Sequence, residues 1–182
     1  HKCYRDSRMA TAVSVAMQAT HWTLKTWQNA VSAYIALTEF SREQLIQGGY
    51  PAAKIHVKPN FVHPDLGHDC RDGDYAVFVG RLSSEKGIET LIKAWQTNTD
   101  LPKLKVIGDG PFRQQVQRAA VRSQGLIECL GFQPYPDVMA QLREARMLIF
   151  PSIWHEPFGR AVIEAFATST PLVASYIAPL NS

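Results

Sequence analysis

From Tyr75 onward the chain repeats one pattern: a short apolar run, a turn, then an amphipathic helical stretch. The apolar runs Tyr75–Val79, Leu104–Ile107, Leu126–Leu130 and Met147–Phe150 read as strands, and Leu172–Ala174 begins another. Between them Gly87–Trp95, Pro111–Arg122, Pro136–Ala145 and Gly159–Thr168 read as helices. Strands apolar on both faces need cover on both faces, and helical crossovers join parallel neighbours. The pattern therefore predicts α/β architecture, a doubly wound, Rossmann-like parallel sheet.

The first third is less regular. Ser7 to about Val31 reads as a helix, and Ser32–Thr38 holds a short buried strand. Ser41 is the expected N-cap of a helix through Ile46, ended by Gly48-Gly49, and Lys54–Val57 is a further strand. Pro, Asp, Gly and His then dominate from Phe61 to Gly73, as in a linker. The expected organisation is a helix-strand segment over 1–60, a linker over 61–73 and the parallel sheet over 74–182.

Composition excludes several classes. With 182 residues, 46% of them apolar, the chain suits a globular core rather than disorder. Its net charge of +3 is spread without a basic stripe, so nucleic acid is not an expected partner. Cys3, Cys70 and Cys129 lack metal or redox spacing, and a reducing, cytoplasmic setting is the simplest reading. No signal peptide is expected, and the stretch from Met9 to Leu24 is too polar for a membrane span.

Ligands of open parallel sheets bind at the carboxyl ends of the strands. There the sequence places Gly80-Arg81-Leu82-Ser83-Ser84-Glu85-Lys86-Gly87, then Gly108-Asp109-Gly110-Pro111, Gly131-Phe132, and Pro151-Ser152-Ile153-Trp154-His155-Glu156-Pro157-Phe158-Gly159. Arg81 and Lys86 precede a helix start, where amides and the dipole favour an anion such as a diphosphate. Taken alone, a solvated Arg81 and a Lys86 paired with Glu85 is the better reading of this loop. Gly108-Asp109-Gly110-Pro111 reads as a tight turn with proline at the first helical position. Glu156 falls in a loop, and Glu164 about one and a half turns inside the following helix. Carboxylates accept from sugar hydroxyls. Flanked by Ala161, Val162, Ile163, Ala165 and Phe166, Glu164 should be buried and should need a partner.

The ordered set Val79-Gly80-Arg81-Leu82-x-x-Glu85-Lys86-Gly87, Gly108-x-Gly110-Pro111, Pro151-Ser152 and Glu156-x7-Glu164 resembles glycosyltransferase family 4, the retaining GT-B enzymes. The resemblance covers about 74–175, and the stretch 38–62 resembles the interdomain crossing. It implies that this chain is the C-terminal, donor-binding half, transferring a hexosyl unit from a nucleotide-diphosphate sugar, UDP- or GDP-linked, without a metal or other cofactor. Arg81 and Lys86 would hold the diphosphate and stabilise the charge on it as it leaves, and Glu156 would contact the donor sugar. Glu164 would bind the ribose, amides near Phe158 and Gly159 would meet sugar or phosphate, and the Gly131–Tyr135 loop, with Phe132, would cradle the base. Gly80, Gly108 and Gly110 complete the implied donor-binding set. A saccharide or glycolipid acceptor and polysaccharide biosynthesis follow from the same resemblance, and the mild basicity is compatible with a position peripheral to the inner membrane face.

The family's first domain would need well over a hundred residues, so 1–60 reads as its remnant, and activity of this chain alone is not expected. The apolar face bearing Trp22 and Trp27 would be covered by that domain or by self-association. Ser169 and Ala178-Pro179 stand where the family has glycines, and the final acidic residue and crossover helices are not expected before Ser182. Alternatives are a non-catalytic nucleotide-sugar module, one half of a split enzyme, or a nicotinamide dehydrogenase lacking its fingerprint. Asp72-Gly73-Asp74 precedes its strand and reads as a turn. His63, His68, Asp69 and Cys70 have irregular spacing for a metal, and His155-Glu156 lacks a second histidine.

Overall fold

A computed structural model describes residues 7–63 and 73–176. The expectations for Cys3, Cys70, the His68-Asp69 pair, Asp72, Ala178-Pro179 and most of the linker lie outside them. The chain divides into two compact units, His1–Pro59 and Asn60–Ser182.

In the first unit, α1 (Arg8–Thr23) starts at Ser7, whose hydroxyl accepts from the Ala10 amide. The helix expected to reach Val31 instead breaks at Lys25, which is left-handed at φ 52°, and a single turn, α2 (Thr26–Asn29), follows. Polar Thr and Lys in this stretch leave little apolar packing to oppose that break. Strand β1 (Tyr34–Ala36) pairs in parallel with β2 (Ile55–Val57) around α3 (Glu39–Gln47). The cap of α3 is Thr38, not Ser41: Thr38 is extended and its side chain accepts from the Ser41 amide. Ser41 is thus the recipient position three residues inside the cap. Lys54 Nζ donates to the carbonyls of Gln28 and Val31, satisfying chain ends that no helix bond reaches. No residue of α1 is buried.

The second unit has the predicted architecture. Strands β3 (Tyr75–Val79), β4 (Lys103–Ile107), β5 (Ile127–Gly131), β6 (Met147–Phe150) and β7 (Leu172–Ala174) form one parallel sheet in the order β5-β4-β3-β6-β7. Connecting them are α4 (Ile88–Thr97), α5 (Arg113–Arg122), α6 (Tyr135–Arg143) and α7 (Arg160–Ala167). Alternate residues of β3 show the double winding. Ala76 and Phe78 pack with Leu91, Trp95 and Val116 of α4 and α5, while Tyr75 and Val77 pack with Met139, Leu142 and Val162 of α6 and α7. The strand order reverses between β3 and β6, and the loops leaving those two strands frame a crevice there.

Helix α5 begins at Arg113 with Phe112 as its cap, so Pro111 lies ahead of the helix rather than at its first position. The reason is the loop itself, which is bonded sideways to its neighbour. Leu82 donates its amide to the Asp109 carbonyl, and Phe112 donates to the Leu82 carbonyl, each over 2.9 Å. Gly108 and Gly110 sit at φ 138° and 155°, and a Cβ on Gly108 would lie 1.8 Å from the Gly80 carbonyl oxygen. Only glycine lets the two loops approach so closely.

Candidate functional site

The crevice at the switch point is a cleft of about 460 Å³. Its lining includes Gly80, Arg81 and Lys86 from the β3 loop, Phe132, Gln133 and Tyr135 from the β5 loop, and Glu156, Gly159, Arg160 and Glu164 from the approach to α7 and its first turns. Two cations and two carboxylates singled out in the sequence therefore share one cavity. Four other expected positions are not in that lining. Gly108 and Gly110 bind the loops beneath it, Gly131 ends β5 and accepts the Gly108 amide at its carbonyl, and Phe158 is half-buried beside it.

Lys86 does not pair with Glu85. Its ammonium donates to Glu156 Oε1, while the Ser83 hydroxyl donates to Glu85 Oε1 over 2.6 Å. That hydroxyl, with a backbone hydrogen bond and then Arg81 and Lys86 nearby, holds the Glu85 carboxyl below its ordinary range. Glu156 is buried and Lys86 is only partly exposed, so the pair is shielded from water on one side. Arg81 is exposed, leaving its guanidinium open to a ligand.

Glu164 is buried at 6% exposure, as its apolar flanks require. Burial pushes its carboxyl above the ordinary value, and Arg160 pulls it back by charge and by a 3.3 Å contact from Nη2 to Oε1. Arg160 is a charged cleft residue that sequence reading missed. The signal was present, because Arg160 and Glu164 are four apart on one helix and so share a face.

Of the two helix starts expected at the site, the one at Gly159 borders the cleft. Gly159, Arg160 and Ala161 at the start of α7 are part of the lining, and no side chain caps α7. The helix after Lys86 instead begins at Gly87, where a Cβ would meet the Pro151 carbonyl oxygen at 1.9 Å, so α4 starts against the β6 loop. An uncapped first turn presents amides and a positive dipole end to an anion. Among the described residues no group of three or more His, Cys, Asp or Glu could hold a metal ion. No helix among them is long and apolar enough to cross a membrane.

The second unit is a parallel α/β domain of the GT-B glycosyltransferase type, with two cations and two carboxylates on one cleft. Residues 70–181 match the family described as glycosyl transferases group 1, and the chain belongs to that family. It is 30% identical over 123 residues to an uncharacterised glycosyltransferase of Methanocaldococcus jannaschii, covering 67% of this chain and 34% of that protein. It is 28% identical over 181 residues to the phosphatidyl-myo-inositol mannosyltransferase of Mycobacterium leprae, covering 91% of this chain and 46% of that one. Among solved structures, Anabaena HepE in complex with UDP and glucose superposes with a TM-score of 0.71 at 23% identity, over 83% of this chain and 46% of that one. The chain thus spans less than half the length of each of these proteins.

Proposed function

We propose that this chain is the donor-binding half of a retaining, family 4-type hexosyltransferase that takes a UDP- or GDP-linked sugar. One observation carries the reading: Arg81, Lys86, Glu156, Glu164 and the uncapped start of α7 line a single cleft. In it Arg81 and Lys86 hold the diphosphate with the first α7 amides, Glu164 takes the ribose hydroxyls, and Glu156 takes the sugar. The β5 loop with Phe132 and Tyr135 flanks the base. UDP bound to the HepE structure and the mannosyl transfer named for the Mycobacterium leprae relative support a nucleotide-sugar donor.

Transfer forms a bond between an acceptor hydroxyl oxygen and the anomeric carbon, and breaks the bond from that carbon to the diphosphate. The departing phosphate oxygen takes the acceptor's proton on the same face, so configuration is retained. Arg81 and Lys86 stabilise the charge that grows on the leaving group, and losing one such contact costs on the order of 10²–10³ in rate. The saccharide or glycolipid acceptor is bound by the other half of the GT-B architecture, at the cytoplasmic side of a membrane that makes surface polymers. The apolar side of α1, with Val15, Ala19 and Trp22, is where that half or a second copy packs.

Calorimetric titration with UDP, GDP, ADP and NAD tests the donor reading. Micromolar to millimolar binding of UDP or GDP, strengthened by an attached hexose and weakened in Glu164→Ala, is the expected result. Preference for NAD, or no diphosphate binding, refutes it. Anomeric analysis of product formed with the acceptor half supplied tests retention.

A further inference from the structure

We propose that Ser152 is a positioning residue, whose buried hydroxyl fixes the Glu156 carboxylate where it meets Lys86. The inference rests on the donor-binding reading of the same cleft. Ser152 is 1% exposed, two residues after the end of β6. Its Oγ lies 3.0 Å from Glu156 Oε1 and 3.1 Å from the carbonyl oxygen of Glu85, and the Trp154 amide donates to it over 3.4 Å. The Glu85 carbonyl also accepts from the Ile153 amide over 3.0 Å. Glu85 immediately precedes Lys86, so the Ile153 amide ties the β3 loop to the β6 loop beside Ser152, at the strand-order reversal.

A serine hydroxyl has one proton to give. The Glu85 carbonyl already has the Ile153 amide, whereas an ionised Glu156 offers the stronger, charge-assisted acceptor. Glu156 Oε1 then receives both Lys86 and Ser152. Among the described residues no hydrogen bond engages Oε2, which leaves that oxygen for the donor. Two donors from different loops define the carboxylate plane, and one alone does not. Without the hydroxyl, Glu156 and Lys86 remain a pair but can swing together.

The consequence falls on the sugar end of the ligand. With Glu156 placed on the sugar, Ser152→Ala should weaken UDP-glucose binding by about tenfold while changing UDP binding by less than about threefold. The experiment is calorimetry on the 182-residue chain with two probe pairs, UDP with UDP-glucose and GDP with GDP-mannose. Wild type is compared with Ser152→Ala, Ser152→Thr, Glu156→Gln and the Ser152→Ala/Glu156→Gln double variant. Should Ser152→Ala not fold, Ser152→Cys, similar in size with a weaker donor, makes the same discrimination. The expected pattern is loss confined to the sugar-bearing ligand, recovery in Ser152→Thr, and a double variant no weaker than Glu156→Gln. Equal losses for diphosphate and sugar, adding to those of Glu156→Gln, would mean that Ser152 only packs, and would overturn the proposal alone. A wild-type chain that binds neither probe pair overturns the donor reading and this proposal with it.

Discussion

Replacing Lys86 by alanine should destabilise the second unit as well as impair ligand binding, because Lys86 neutralises a buried carboxylate. Glu156 retains 9% side-chain exposure and Lys86 26%, so the pair falls between the solvent-exposed and buried regimes. Exposed pairs contribute roughly 0.2–1 kcal/mol, and breaking a buried pair costs about 3–5 kcal/mol. The Ser152 hydroxyl remains to share the load, so a loss of about 2 kcal/mol is expected. For a unit of this size that is a fall in Tm of roughly 6–10 °C. Glu156→Gln removes the charge that needs neutralising, so the double variant should regain most of the lost stability. Thermal unfolding followed by circular dichroism on wild type, both single variants and the double gives the coupling directly. A Lys86→Ala Tm within about 2 °C of wild type, or a double variant as low as the sum of its parts, refutes the reasoning.

Arg81→Ala should separate the two roles that Lys86 combines: UDP or GDP affinity falls by roughly 10–100-fold while Tm stays unchanged, checked by calorimetry and thermal melts. Glu164→Gln should trade the other way. The raised carboxyl means that the stabilising share of Glu164 is complete below its ordinary value of 4.5 and is lost as pH rises through the higher folded value. At pH 7 the glutamine variant should therefore melt higher than wild type, the difference should vanish near pH 4, and nucleotide affinity should drop at least about tenfold. Ser169 holds a left-handed φ of 57° that an L side chain resists by about 1–2 kcal/mol, partly offset by the unfolded freedom of glycine. Ser169→Gly should raise Tm by roughly 2–4 °C, and a lowered Tm would show that its side-chain contacts outweigh the backbone strain.

The sheet was legible because each strand is a short apolar run and each helix carries an apolar stripe, so the buried faces wrote themselves into the periodicity. The residues at the strand ends were legible too, since topology dictates that such loops converge. Three things were not. The partner of Lys86 is seventy positions away at Glu156, and local reading favours the adjacent Glu85, which Ser83 in fact engages. That the helix after Lys86 begins against Pro151 depends on loop packing, whereas the start of α7, already expected at the donor, does line the cleft. The break at Lys25 lies in a helix with no buried face, where no packing pattern marks its end. Ser169 shows the converse, a position whose left-handed backbone would suit the glycine that the family resemblance leads one to expect there.

Titration of UDP or GDP into isotopically labelled chain, followed by amide resonances, tests the central claim most directly. Dipole-led capture of a diphosphate predicts that the amides of Gly159, Arg160 and Ala161 shift first and furthest, together with the side chains of Arg81 and Lys86. Saturable shifts confined to the start of α4 or to α5, with α7 silent, would contradict it.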